Sequence, residues 1–453
     1  MSIRFPARAC DAAQLPWLAG AATRALIWRD GRAIDLGAFA AQAEIVAAAL
    51  PGPASAIINL CAGRYSFLLA FAAALRVGRP TLLLPARTPA ALAEVRQAWP
   101  GALTLHEPGA AHDLGGLQMD ALGSTAPACG TSARSMALLD ATRVALVGHT
   151  SGSSGAPQPQ RKTLRALWAS NAANQTRLAA ELGLHFNILA TVPPQHMYGI
   201  EMSVLLALLG GGAVADAQPL LPADVVAELR KLPAPRVLVT TPLHLRALLD
   251  AGLELPCEAI VSATAPLEPA LARTAEAHTG APLIEVYGST ETCVVATRRP
   301  AHEPLWTPYP GVDMQSAPDG VRIEAPQLFA PVLLGDLVER QSDGRFALVG
   351  RVSDLIEIAG KRASLGDLTR HLLAVPGVED AAIIQHEDVD SSGVRRLAAL
   401  VVAPGTSTAA IMAALRASFD PAFLPRPLKR VPRLPRNALG KLPRAALLDL
   451  LRG

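Results

Sequence analysis

VALVGHTSGSSGAPQPQRK, residues 144 to 162, decides how this chain is read. A strand-like apolar run ends at Gly148, a loop of Thr150, Ser151, Gly152, Ser153, Ser154 and Gly155 follows, and a helical stretch begins at Thr163. Between a strand and a helix, the backbone N–H groups of such a loop can converge on an anion while its glycines permit close approach. That geometry suits a triphosphate. A Walker loop would place Gly-Lys-Ser/Thr after four spacer residues, which this stretch does not supply. A flexible surface turn is the plain alternative.

The same alternation extends in both directions. Before the loop, helix-like AAQAEIVAAAL and YSFLLAFAAALRVG alternate with strand-like SAIINLC and TLLL; after it come LATVPP, RVLVTTP, CEAIVSA and PLIEVYG. This pattern predicts an α/β fold with mostly parallel strands, which binds ligands in loops at the carboxyl ends of its strands. The Ser/Thr/Gly/Ala-rich segment from Met119 to Ala141 reads as a loop or insertion. After VRIEAP and FALVG a smaller pattern begins, with helices in DLTRHLLAVPGV and TSTAAIMAALRASF and strands in EDAAIIQHE and LAALVVAP. We therefore expect a large amino-terminal body over residues 1–351 and a small α+β lobe over 352–453, joined at GRVSD. No repeat suggests a solenoid.

Composition narrows the class. Of 453 residues, 51% are hydrophobic and 17% charged, which is globular. No apolar run reaches the roughly 18 residues of a spanning helix. The start, MSIRFPARACDAAQ, lacks the apolar region of a secretory signal, and five cysteines without CxxC spacing fit a reducing compartment, so a cytoplasmic location is expected. A net charge of +3 and scarce aromatics argue against a nucleic-acid partner. The charge is uneven, however: Arg426, Lys429, Arg430, Arg433, Arg436, Lys441 and Arg444 lie in a stretch without an acid.

Three further stretches carry chemistry. In VYGSTETCVV, residues 286 to 295, an apolar strand ends in Tyr287, Gly288, Ser289, Thr290 and Glu291. An aromatic face can stack on a purine, hydroxyls can donate to phosphate, and a carboxylate can hold Mg²⁺ together with substrate phosphates. An ordinary helix cap would give a similar SxxE spacing. In LLGDLVERQSDGRFALVGRVSD, Asp336 stands where strand-end acids accept hydrogen bonds from a ribose diol, and Asp343-Gly344 reads as a hairpin turn. In LPRNALGKLPR, Lys441 follows Gly440 in a proline-punctuated loop, where an ordinary solvated lysine is the alternative.

Taken in order, these stretches resemble the adenylate-forming superfamily of acyl- and aryl-CoA synthetases, luciferases and peptide-synthetase adenylation domains. TSGSSGAP resembles its phosphate loop, YGSTE its adenine and magnesium motif, GD its ribose-binding acid, GRVSD its hinge and LPRNALGK its catalytic-lysine motif. The resemblance implies that residues 150–155 hold the β- and γ-phosphates of ATP, Tyr287 lies against adenine, Thr290 touches the α-phosphate and Glu291 binds Mg²⁺. It further implies that Asp336 holds the ribose with support from Arg351, and that Lys441 bridges the carboxylate and the α-phosphate. SATAPL, which includes Ser262, Ala263, Thr264 and Ala265, is similar to the segment beside the adenine and acyl pocket. PPQHMYG is similar to the segment that brings a histidine, here His196, to the acyl pocket. The small lobe of the family is mobile about its hinge.

Two positions depart from the family. Gln158 stands where a lysine usually follows the loop proline, and Ser353 replaces the usual acidic hinge residue. Lys162, beside Arg161 at the start of the following helix, is the expected substitute cation. The short chain and the PQPQRK loop resemble ligases of aryl polyene and xanthomonadin pathways, which load 4-hydroxybenzoate or related acids onto an acyl carrier protein. The basic stretch from Arg426 to Arg444 would steer either CoA or an acidic carrier, and its spread suits a carrier surface better than a single phosphate, with a solvated basic tail as the plain alternative. An aryl- or medium-chain acyl-CoA ligase, a nucleotide-binding but degenerate homologue, and a luciferase-like oxygenase are the alternatives.

Overall fold

A computed structural model describes residues 12–84, 88–108, 115–122, 137–150, 158–358, 361–386, 395–436 and 442–452. Only the backbone is described at Thr150, Ser353, Glu357, Lys361, Arg362 and Asp367. The chain divides into two compact units: Met1–Pro304 with Pro308–Val312 and Glu324–Ala330, and Leu305–Thr307 with Asp313–Ile323 and Pro331–Gly453. The second unit thus takes in strands that precede GRVSD.

In the first unit the strands of the two large sheets begin with β1 (Ala25–Arg29), β2 (Ile57–Asn59), β3 (Thr81–Leu82), β4 (Leu103–His106), β5 (Leu117–Gln118), β6 (Val144–Thr150) and β7 (Gln158–Thr163). They continue with β8 (Phe186–Ala190), β9 (Gly212–Ala215), β10 (Arg236–Thr240), β11 (Ala259–Ser262), β12 (Leu283–Ser289) and β13 (Cys293–Arg298). The smaller sheet has the order β7-β6-β3-β2-β4-β5, parallel except for β7. The larger contains the run β13-β12-β11-β10-β8-β9-β1, parallel from β12 to β1, with the strand Arg32–Asp35 antiparallel beside β1.

The continuous apolar runs are explained by burial on both faces. Ile188, Val237, Val239, Val261 and Ile284 enter one core, while Leu189, Leu238, Ile260 and Leu283 enter another on the opposite face. The first core is shared with Ile57 and Leu146 of the smaller sheet and with α1 (Arg64–Arg76), a helix buried from Arg64 to Leu75 except at Ser66. Helix α2 (Leu164–Leu182) follows β7 directly, capped by Thr163, whose hydroxyl accepts from Ala166 N at 3.2 Å.

In the second unit β14 (Asp336–Arg340) and β15 (Phe346–Arg351) form a hairpin, with φ +85° at Gly344 in its turn. A separate sheet pairs β16 (Asp380–Gln385) antiparallel with β17 (Leu397–Val402) and β17 parallel with β18 (Leu428–Arg430). Ile383 and Val401 face the helices Leu365–Leu373 and Thr408–Ser418, and Ile384 and Leu400 face the helix Arg444–Arg452. No helix among the described residues is long and apolar enough to cross a membrane.

Candidate active site

YGSTETC is a hairpin turn, not a helix cap. Strand β12 pairs with β13 through Tyr287 to Ala296 and Ser289 to Cys293, with a register shift at Tyr287/Gly288. Ser289 N donates to Thr292 Oγ1 at 3.1 Å and Thr292 N donates to Ser289 Oγ at 3.2 Å, which closes the turn that carries Thr290 and Glu291. Tyr287 is buried; Thr290 and Glu291 are half-buried. The turn meets β6, the strand that leads into the Ser/Gly loop: a Cβ on Gly148 would stand 2.6 Å from Thr290 Cγ2.

Buried polar groups grip this turn by its backbone. Lys162 Nζ donates to the Glu291 carbonyl. Glu201, in the π-helical segment Ile200–Leu205, accepts from Val294 N at 3.0 Å and from Ser170 Oγ at 2.5 Å. Gln327 Nε2 donates to the carbonyls of Thr292 and Val294, both at 3.2 Å. Lys162 is not at the start of the helix, as expected, but in strand β7, opposite Leu146, and only 4% exposed.

Burial pushes the Glu201 carboxyl above its usual value of 4.5, outweighing its bonds to Ser170 and Val294 and the field of Lys162. Folding therefore favours the protonated acid. That contribution is present below pH 4.5 and is lost as pH rises through the folded value. Glu201→Gln retains an acceptor without the titration, so wild type should lose stability relative to E201Q between pH 4.5 and 7. Urea unfolding at several pH values checks this; a constant difference would count against it.

The loop Ser262–Leu267 is set by a buried acid on β12. Glu285 accepts from Leu267 N at 3.0 Å and pairs with Arg298 Nε at 2.6 Å. Within this loop Ser262 is fully buried, Ala263 is buried, and Thr264 and Ala265 are half-buried. Thr264 has φ +83°, a conformation that glycine adopts more readily. At the carboxyl end of β8, His196 N donates to Pro193 O at 3.3 Å and His196 O accepts from Ile200 N at 2.8 Å. Tyr198 OH bonds the Thr240 and Val261 carbonyls at 3.0 and 2.9 Å, tying this segment to the ends of β10 and β11.

Arg64 braces the same segment. It is fully buried and donates to Ser203 Oγ at 2.6 Å, Val192 O at 2.9 Å and Ala190 O at 3.1 Å, so that it spans either side of His196. Burial lowers its pKa to about 10, still charged at neutral pH.

In the second unit Asp336 and Arg351 are register partners, and Arg351 Nε donates to Asp336 Oδ1 at 2.7 Å. The Asp336 side chain is 12% exposed and that of Arg351 64%, so the acid is held by an arginine that itself reaches solvent. Ser353 lies in the 3₁₀ turn Val352–Asp354. Part of the basic stretch fastens the lobe itself: Arg436 pairs with Asp380 at 2.6 Å, Lys429 donates to Leu450 O and Arg444 to Gln385 O. Arg426, Arg430 and Arg433 are exposed.

A family model described as "AMP-binding enzyme" matches residues 20–324. The chain belongs to the AMP-binding enzyme family. Among its relatives is the 4-coumarate–CoA ligase of Halorhodospira halophila, 32% identical over 309 residues, which are 65% of this chain and 73% of that one. The isonitrile lipopeptide synthase of Streptomyces coeruleorubidus is 33% identical over 202 residues, 36% of this chain and 13% of that far longer one. The ATP-bound structure of MatB from Rhodopseudomonas palustris shares the fold, with a TM-score of 0.79 at 19% identity and coverage of 100% and 99%. This AMP-binding enzyme is thus a ligase of the family that activates acids as acyl-adenylates.

Within the AMP-binding frame, Tyr287, Gly288, Ser289, Thr290, Glu291 and Lys162 come together in the first unit, with Gly148 at the entrance to the loop. Ser151, Gly152, Ser153, Ser154, Gly155 and Lys441 lie outside the described residues. The Glu291 turn fits a magnesium ion shared with nucleotide: it offers carboxylate and hydroxyl oxygens, the donors Mg²⁺ prefers, on a backbone braced from several sides. Among the described residues there is no cluster of three or more His, Cys, Asp or Glu that could hold a metal ion. Sequence reasoning missed Arg64, Glu201, Glu285 and Gln327. The available signal was a lone charge within an apolar run, as in GIEMSVLLALL and PLIEVYG, because an unpartnered buried charge is too costly to persist.

Proposed function

We propose that this ligase converts an aryl acid, with 4-hydroxybenzoate as the expected member, to its acyl-adenylate and passes the acyl group to the phosphopantetheine thiol of an acyl carrier protein. The observation that carries the aryl reading is the 32% identity to a relative named for an aromatic acid, 4-coumarate. In this reading residues 150–155 hold the β- and γ-phosphates, Tyr287 lies against adenine, Thr290 meets the α-phosphate, and Thr264 and Ala265 border adenine. His196, Ser262 and Ala263 wall the acid pocket, and Asp336 with Arg351 takes the ribose. Magnesium, held by Glu291 and the phosphates, would screen their charge. Lys441 screens the remaining repulsion, a carboxylate oxygen attacks the α-phosphorus and pyrophosphate leaves. The thiolate then attacks the acyl carbon and AMP departs. Ser353 is the proposed pivot between the two steps.

The carrier as acceptor is supported by Arg426, Arg430 and Arg433, exposed on the lobe that carries Lys441. CoA is the second reading, favoured by the name of that same relative. Pyrophosphate release measured across aryl and fatty acids, followed by trapping with holo carrier protein or CoA at rising salt, tests both. Release with hydroxybenzoates and a salt-sensitive transfer to the carrier is expected. Release with fatty acids alone would overturn the aryl reading, and salt-insensitive transfer to CoA alone would overturn the carrier.

A further inference from the structure

The lysine expected to replace Gln158 is directed elsewhere. Gln158, Gln160 and Lys162 alternate onto one face of β7, and Lys162 lies about 13 Å along the strand from Gln158. Residue 158 is exposed where β7 leaves the loop, whereas Lys162 is buried. Its amine is committed to the backbone carbonyl of Glu291, and the buried Glu201 lies within its field. Arg161, on the opposite face, sits 5.7 Å over the ring of Trp99.

We infer that Lys162 is a positioning residue: it pins the Glu291 turn by its backbone, so that the Thr290 hydroxyl and Glu291 carboxylate stand where magnesium and the α-phosphate require them, and it makes no phosphate contact of its own. Strand β7 is paired along its length with β6, from Gln158 opposite Thr150 to Lys162 opposite Leu146. The hairpin that holds the Ser/Gly loop and the turn that bears Glu291 are thereby joined through one amine. Gln327 grips the same turn through the Thr292 and Val294 carbonyls, which makes it an independent probe of turn position. The inference rests on the nucleotide reading given above.

The test compares K162M, K162R and Q327L with wild type in equilibrium ATP binding, in the Mg²⁺ dependence of that binding, and in pyrophosphate release with the accepted acid. For K162M, turnover should fall roughly a hundredfold, as expected for a misplaced catalytic group. ATP affinity at saturating Mg²⁺ should stay within about twofold, below the tenfold change that a lost charge contact worth 1.4 kcal/mol would produce. The Mg²⁺ concentration for half-saturation should rise in K162M and Q327L alike, with partial recovery in K162R. A K162M protein that loses ATP affinity tenfold or more with its Mg²⁺ requirement unchanged would make Lys162 a phosphate ligand and overturn the inference. If K162M does not fold, Q327L decides: an unchanged Mg²⁺ requirement there is equally adverse. Wild type that binds Mg·ATP but activates no acid would defeat the proposed function alone, because the binding measurements still report on Lys162.

Discussion

Gly288→Ala is expected to reduce pyrophosphate release by roughly a hundredfold while leaving a folded protein. The added Cβ would stand 2.2 Å from the Cys293 carbonyl oxygen and 2.7 Å from the Val294 Cα. Both are backbone atoms of the partner strand, so no side-chain rotation relieves the clash and the hairpin must open. Overpacking of this kind costs about 1–3 kcal/mol, which a large α/β unit survives. The turn that carries Thr290 and Glu291 does not keep its position, and a displacement near 1 Å is enough for the loss of rate. Gly52→Ala is the control, since nothing lies within 4 Å of its Cβ. Full activity in G288A would show that the turn tolerates movement and would remove the basis for assigning nucleotide and metal to it.

Arg64→Met should act on the other half of the site. The variant leaves the Ala190 and Val192 carbonyls and the Ser203 hydroxyl without the guanidinium that now serves them in a fully buried place. Acceptors stranded in this way cost roughly 1–3 kcal/mol each, so a loss of about 3 kcal/mol or more is expected in urea unfolding. Because Val192 and Ser203 flank the segment that carries His196 and Tyr198, the KM for the acid should rise further than the KM for ATP. Equal changes in both constants would reduce Arg64 to a general stabiliser of the core.

What was legible beforehand was local. VALVGHT forms β6 over Val144–Thr150 and Thr163 caps the following helix, because burial on both faces makes a continuous apolar run and a cap depends on residues three apart. The small lobe follows its period for the same reason: EDAAIIQHE and LAALVVAP pair as β16 and β17. The glycine at 288, the acid at 336 and the arginine at 351 stand in short motifs, and the last two are joined at 2.7 Å. What was not legible depends on partners remote in the chain. Lys162 reaches Glu291, Arg64 reaches Val192 and Ser203, and Glu201 meets Val294, at separations of 93 to 139 residues. Periodicity reports which face of a strand is buried, not which buried carbonyl a charged side chain will find. The sequence by itself therefore determined the alternating α/β pattern and the likeness to the AMP-binding enzyme family. Only the tertiary structure decided how its site is braced, because buried charges must take their hydrogen-bond partners from whichever strands the packing brings within reach.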